Sequence, residues 1–101
     1  MDHFNYRNGQ LYAEDVSVGE IAASVGTPFY VYSTATLERH FKLFDDALDG
    51  MDHCICYAMK AASNQAILKT LGNLGAGMDV VSGGEYRRAI AAGIPPEKVV
   101  F

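Results

Sequence analysis

Tryptophan is absent from the 101 residues, cysteine occurs twice and proline three times. Two cysteines are too few for a disulfide scaffold. The spacing of Cys54 and Cys56 inside an apolar run would point both thiols to one face of a strand, where reduced core cysteines are expected. No apolar run is long enough to cross a bilayer. The opening Met1-Asp2-His3-Phe4-Asn5 lacks the basic and then apolar order of a signal peptide, so a cytoplasmic protein with no membrane partner is expected. An excess of positive charge is also missing. Eight Lys and Arg stand against twelve Asp and Glu, a formal net charge of −4, which offers no electrostatic footprint for nucleic acid. There is no Walker A lysine, CxxC pair or HExxH, and His3, His40 and His53 have no metal-ligand spacing, so no metal is expected. What is present is the composition of a packed domain, half hydrophobic and one fifth charged. The length allows one domain at most.

Along the chain the pattern alternates strand and helix once the first residues are set aside. Phe4-Asn5-Tyr6-Arg7 and Gln10-Leu11-Tyr12-Ala13 flank Asn8-Gly9, a pair suited to the positive φ angles of a type I′ turn, so a small hairpin is predicted. Ser17 and Glu20 have capping-box spacing ahead of Ile21, Ala22 and Val25, which predicts a short helix ending near Gly26. Residues 28–32 are β-branched and aromatic and predict a first strand. Leu37, Phe41, Phe44 and Leu48 then follow at helical spacing up to Gly50. Residues 53–58 predict a second strand, and Ser63 caps a helix carrying Ile67, Leu68 and Leu71. Residues 77–81 predict a third strand. Ser82-Gly83-Gly84-Glu85 opens a further helix that stops at Gly93, and residues 98–101 begin a fourth strand. Strands roughly 21–24 residues apart with helices between them demand crossover connections and hence a parallel sheet. A doubly wound sheet and a (β/α)8 barrel both fit. A barrel needs roughly 250 residues, so part of a larger unit is expected.

Two charged residues stand out. Lys60 follows the apolar run Cys54-Ile55-Cys56-Tyr57-Ala58-Met59, which puts a long cationic side chain at the carboxyl end of a strand, where parallel α/β folds build their sites. Strand alternation would give it one face with Ala58, Cys56 and Cys54. A primary amine over that small floor can form a Schiff base, with Ala58, Ala61 and Ala62 leaving room for something flat; the competing reading is a lysine that reaches from the strand end into solvent. Asp79 lies inside Gly77-Met78-Asp79-Val80-Val81, where a carboxylate needs a partner, either a cofactor cation or Lys60 itself; otherwise it faces a loop. Gly72-Asn73-Leu74-Gly75-Ala76-Gly77 is glycine-rich, but it reads GxxGxG and runs from helix to strand, opposite to a dinucleotide-binding turn. Glu85 is expected to cap a helix and not to act as a base.

Tyr57-Ala58-Met59-Lys60-Ala61, then Ser63-Asn64-Gln65-Ala66-Ile67-Leu68 and Gly75 through Glu85 in the order G-A-G-M-D-V-V-S-G-G-E, resemble the N-terminal part of the bacterial diaminopimelate decarboxylases, as does Gly26-Thr27-Pro28-Phe29-Tyr30-Val31-Tyr32. The resemblance implies an α/β fold: the N-terminal portion of an alanine racemase-like (β/α)8 barrel, with residues 1–15 a β segment that would join a C-terminal β-domain and residues 16–101 about half of the barrel. It implies pyridoxal 5′-phosphate as cofactor, carried on Lys60 with Ala58 and Asp79 beside it, and a homodimer in the complete protein. The implied reaction converts meso-2,6-diaminopimelate to L-lysine and carbon dioxide, the last step of lysine biosynthesis. Ala62 stands where the family usually has asparagine. The family's ring-stacking histidine, the acidic partner of its ring nitrogen and its glycine-rich phosphate loop fall in sequence beyond these residues. The alternatives are a cofactor-binding or regulatory homologue without turnover, and a decarboxylase of another basic amino acid.

Overall fold

The computed structural model describes residues 2–101 and divides into two compact units, Met1–Thr36 and Leu37–Phe101. In the first unit, β1 (Phe4–Arg7) and β2 (Gln10–Ala13) form the expected antiparallel hairpin. Asn8 and Gly9 have φ values of 50° and 79°, the positive pair that a type I′ turn requires and that glycine and asparagine reach at least cost. A third strand, β3 (Val16–Ser17), pairs with β2; at two residues it is too short to leave a periodic signal. Ser17 then caps α1 (Val18–Val25), its Oγ accepting from the Glu20 N–H at 3.4 Å, and Gly26 ends the helix at φ 80°.

Residues 28–32 do not form the expected first strand. A strand exists through a partner, and a β-branched and aromatic composition does not supply one. Tyr30 and Tyr32 of this run are exposed. The helix after it is present as α2 (Thr34–Ala47). Its first turn is held by Glu14, whose carboxylate accepts from the Ser33 hydroxyl at 2.8 Å and the Ala35 N–H at 3.2 Å.

The second unit contains a parallel sheet in the order β4 (Cys56–Ala58), β5 (Gly77–Asp79), β6 (Val99–Val100). The parallel sheet is as expected, with shorter strands: residues 53–55, Val80 and Val81 fall outside the strand bounds, although the Ile55 carbonyl accepts from the Gly77 N–H and the Val80 N–H donates to the Val100 carbonyl, each at 2.9 Å. The connections are α3 (Gln65–Asn73) and α4 (Gly83–Ala91), with a 3-10 turn at Pro96–Lys98. Asn64, not Ser63, caps α3, its Oδ1 accepting from the Ala66 N–H at 2.8 Å. Both residue types cap well; Ser63 lies in the preceding segment, where its carbonyl accepts from Arg88 at 3.2 Å.

Alternation along the strands separates two faces. Met59, Met78 and Val80 point toward the helices and are buried with Ile67, Leu68 and Leu71, one stripe of α3. The opposite face presents Cys56, Ala58 and Asp79, all half-buried, and Val100, which is exposed. Cys54 is exposed and Cys56 half-buried, and both are free. The expectation of core cysteines is therefore corrected: they lie on the face that the helices do not cover. Among the described residues no helix is long and apolar enough to cross a membrane.

Candidate functional site

Lys60 stands where β4 leaves the sheet. The strand ends at Ala58, and the Ala61 N–H donates to the Ala58 carbonyl at 3.1 Å, closing a tight turn through Met59 and Lys60. Met59 is fully buried and its N–H donates to the Asp79 carbonyl at 3.3 Å, while the Lys60 side chain is exposed. The chain thus anchors one residue inside and presents the next, so Lys60 sits at the carboxyl end of a parallel strand.

Ala58 and Asp79 are direct register partners across β4 and β5, as Cys56 and Gly77 are one step earlier. Residues paired in a parallel ladder share a face. This face can be checked in two places. A Cβ built on Gly77 would stand 2.9 Å from Cys56 Sγ, and the Cys54 and Cys56 sulfurs are 3.8 Å apart, the common orientation that the CxC spacing predicts. Burial pushes the Cys56 thiol above its usual range, and Cys54 and the Asp79 carboxylate add to the effect. The structure therefore brings Asp79 and Ala58 together on one face, with Lys60 just past the end of it.

It does not join Lys60 to Asp79. The ion pairs among the described residues are Arg7 with Asp15 and His53 with Asp45, so the suggestion that lysine neutralises this carboxylate is not met. Half-exposed Asp79 keeps access to water. Glu85 is a capping residue, as expected: its N–H donates to Ser82 Oγ at 3.1 Å and its Oε1 accepts from the Val81 N–H at 2.6 Å. An open apolar cleft of about 320 Å³ lies past β5 and β6, lined by Val80, Ser82, Tyr86, Val99 and Phe101 among others. None of its lining residues is Lys60, Ala58 or Asp79, so it is a separate feature. Among the described residues no three His, Cys, Asp or Glu side chains cluster to hold a metal.

Tyr57 was not singled out by the sequence. Its hydroxyl donates to the Ala62 carbonyl at 2.9 Å, across the turn that carries Lys60. The signal was present in principle, since a tyrosine in an apolar strand needs a partner for its hydroxyl.

Comparison with known proteins bears on this arrangement. Residues 34–101 match the family described as pyridoxal-dependent decarboxylase, pyridoxal binding domain. The chain is similar to the diaminopimelate decarboxylases of Vibrio cholerae, 55% identical over 102 residues, and Pseudomonas fluorescens, 54% identical over 101; each alignment covers all of this chain and 24% of the relative. A crystal structure from Aquifex aeolicus superposes with a TM-score of 0.90 at 47% identity, covering 96% of this chain and 24% of that one. Diaminopimelate decarboxylase from M. jannaschii in complex with L-lysine superposes with a TM-score of 0.84 at 33% identity, over 97% of this chain and 24% of that one. The chain therefore spans about a quarter of the length of the curated relatives it matches.

Proposed function

The chain belongs to the pyridoxal-dependent decarboxylases, residues 34–101 lying in their pyridoxal-binding domain, and from that premise we propose that it is the N-terminal portion of a diaminopimelate decarboxylase. The complete protein would take meso-2,6-diaminopimelate to L-lysine and carbon dioxide. The observation that carries this reading is the placement of Lys60, exposed at the carboxyl end of β4 and just beyond the register pair Ala58 and Asp79. The donor set fits the part of pyridoxal phosphate that these residues would hold. It offers a primary amine able to condense with an aldehyde, small Ala58, Ala61 and Ala62 beside it, and a carboxylate on the adjoining strand.

When bound, the cofactor supplies an electron sink for the pair left behind by departing carbon dioxide. Lys60 Nζ would hold the cofactor, and the same amine would be available to move a proton to or from the substrate. Ala58 provides a low floor under that amine, and Asp79 places negative charge on the same face for a cationic group to meet.

We place residues 16–101 as about half of a (β/α)8 barrel, with residues 1–15 joining a C-terminal β-domain and the complete protein acting as a cytoplasmic homodimer. The hairpin belongs to an antiparallel sheet distinct from the parallel one, and that sheet also takes in β3 at Val16–Ser17, so the first compact unit extends past residue 15. The test uses the complete protein with pyridoxal phosphate: carbon dioxide release from meso-diaminopimelate, and peptide mapping after borohydride reduction. Turnover with the label on Lys60 is expected, and a label on another lysine overturns the site assignment. Labelled Lys60 without turnover would point to the non-catalytic homologue, and preference for ornithine or lysine to another decarboxylase.

A further inference from the structure

A lysine that carries a cofactor must keep its backbone still while its side chain reacts, and three ties surround Lys60. The Met59 N–H donates to the Asp79 carbonyl and the Ala61 N–H to the Ala58 carbonyl, at 3.3 and 3.1 Å. Both are backbone bonds that any sequence could make. The third comes from a side chain: the Tyr57 hydroxyl donates to the Ala62 carbonyl at 2.9 Å. Its donor precedes the lysine and its acceptor follows it, so this bond closes a loop around Lys60. The Tyr57 ring packs against the buried cluster of the second unit and is in register with Met78, which gives the hydroxyl a rigid base. The acceptor is a main-chain carbonyl, so alanine at position 62 supplies it as well as asparagine would.

We infer that Tyr57 is a positioning residue for Lys60, its hydroxyl fixing the turn at residues 59–62 so that the amine is presented to the cofactor in one geometry. The inference rests on the proposed cofactor site and goes beyond it. In the step concerned, the Lys60 amine and the cofactor aldehyde form one C=N bond, and the aldehyde oxygen leaves as water with both amine protons. Releasing one end of the loop spreads the lysine over more conformers, and fewer of them lie in the reacting geometry.

The experiment follows cofactor uptake, independent of turnover, in the complete protein stripped of cofactor and supplied with pyridoxal phosphate. Imine absorbance and borohydride trapping on Lys60 are measured for the unmodified protein, Tyr57→Phe and Thr70→Val. Thr70→Val removes another hydroxyl of the same unit, one that donates to the Ala66 carbonyl at 2.8 Å within α3. Tyr57→Phe should unfold cooperatively with an unchanged far-ultraviolet spectrum, yet bind cofactor roughly three- to tenfold more weakly, the effect of one lost hydrogen bond. Thr70→Val should match the unmodified protein. Wild-type uptake by Tyr57→Phe, an equal loss in Thr70→Val, or failure of Tyr57→Phe to fold would each overturn the inference. A label on another lysine in the unmodified protein would overturn the site itself, whereas a correct label with unimpaired Tyr57→Phe overturns the positioning role alone.

Discussion

Gly77 stands between β4 and the segment leading into β6, with no room for a side chain. A Cβ there would lie 2.3 Å from the Lys98 carbonyl oxygen and 2.9 Å from Cys56 Sγ, and the Gly77 N–H already donates to the Ile55 carbonyl at 2.9 Å. The strand cannot retreat without losing ladder bonds, so Gly77→Ala should destabilise the protein by about 1–3 kcal/mol, as overpacking does. Thermal unfolding checks this, and an unchanged Tm would show that the strands can separate freely. Lys60 is the opposite case, a side chain in solvent with no core role. Lys60→Ala in the complete protein should abolish turnover while keeping cooperative unfolding; loss of the fold would make it a structural lysine. The positions of Lys60 and Asp79 at the carboxyl ends of neighbouring strands were legible from sequence, because charge that closes an apolar run stands out. Tyr57 was not, because an aromatic residue in a strand is ordinary and its acceptor, the Ala62 carbonyl, is a main-chain atom that every residue carries.

Elements were legible where their chemistry is local. The Asn8-Gly9 turn and the Ser17 and Ser82 caps each depend on a few adjacent residues, and all three were expected. The strand predicted at residues 28–32 and the first half of the one predicted at residues 53–58 depend on partners that composition cannot name. Ser82→Ala should cost about 1 kcal/mol in denaturant unfolding, because the Glu85 N–H loses its acceptor; no change would mean that water replaces the hydroxyl without loss. Two further contacts at the ends of elements respond to pH. Hydrogen bonding to the Met51 carbonyl, and then to Asp45, raises His53 above its ordinary 6.5. A raised folded value means that this contact stabilises fully below 6.5 and is lost as pH rises through the folded value. The Ser33 hydroxyl, followed by the Ala35 N–H, holds Glu14 below its ordinary 4.5, so that contact stabilises above 4.5 and is lost as pH falls through the folded value. Proton resonance titration should place His53 above 6.5, and Asp45→Asn should bring it down. A His53 titrating at or below 6.5 would remove the ion pair from the solution structure.

At the scale of the molecule, the parallel sheet has β5 paired on both sides, and β4 and β6 on one side each among the described residues. Open strand edges recruit other chains unless they are covered. Val81, Val100 and Phe101 are 61%, 48% and 96% exposed, so apolar surface lies next to the β6 edge. The face carrying Cys56, Ala58 and Asp79 is likewise half-open, and a closed barrel would fill it with side chains from its other strands. The 101-residue chain by itself is therefore predicted to self-associate or fold poorly. A cofactor held by Lys60 alone would lack the surrounding charges and hydrogen bonds that make its electron sink effective, and water would reach the bond to the lysine. Decarboxylation should consequently be absent from residues 1–101 and present in the complete protein. The comparison is carbon dioxide release from meso-diaminopimelate with added pyridoxal phosphate, made beside sedimentation of both samples. A monomeric chain with turnover comparable to that of the complete protein would mean that this sheet needs no further strands and that Lys60, Ala58 and Asp79 make a sufficient site.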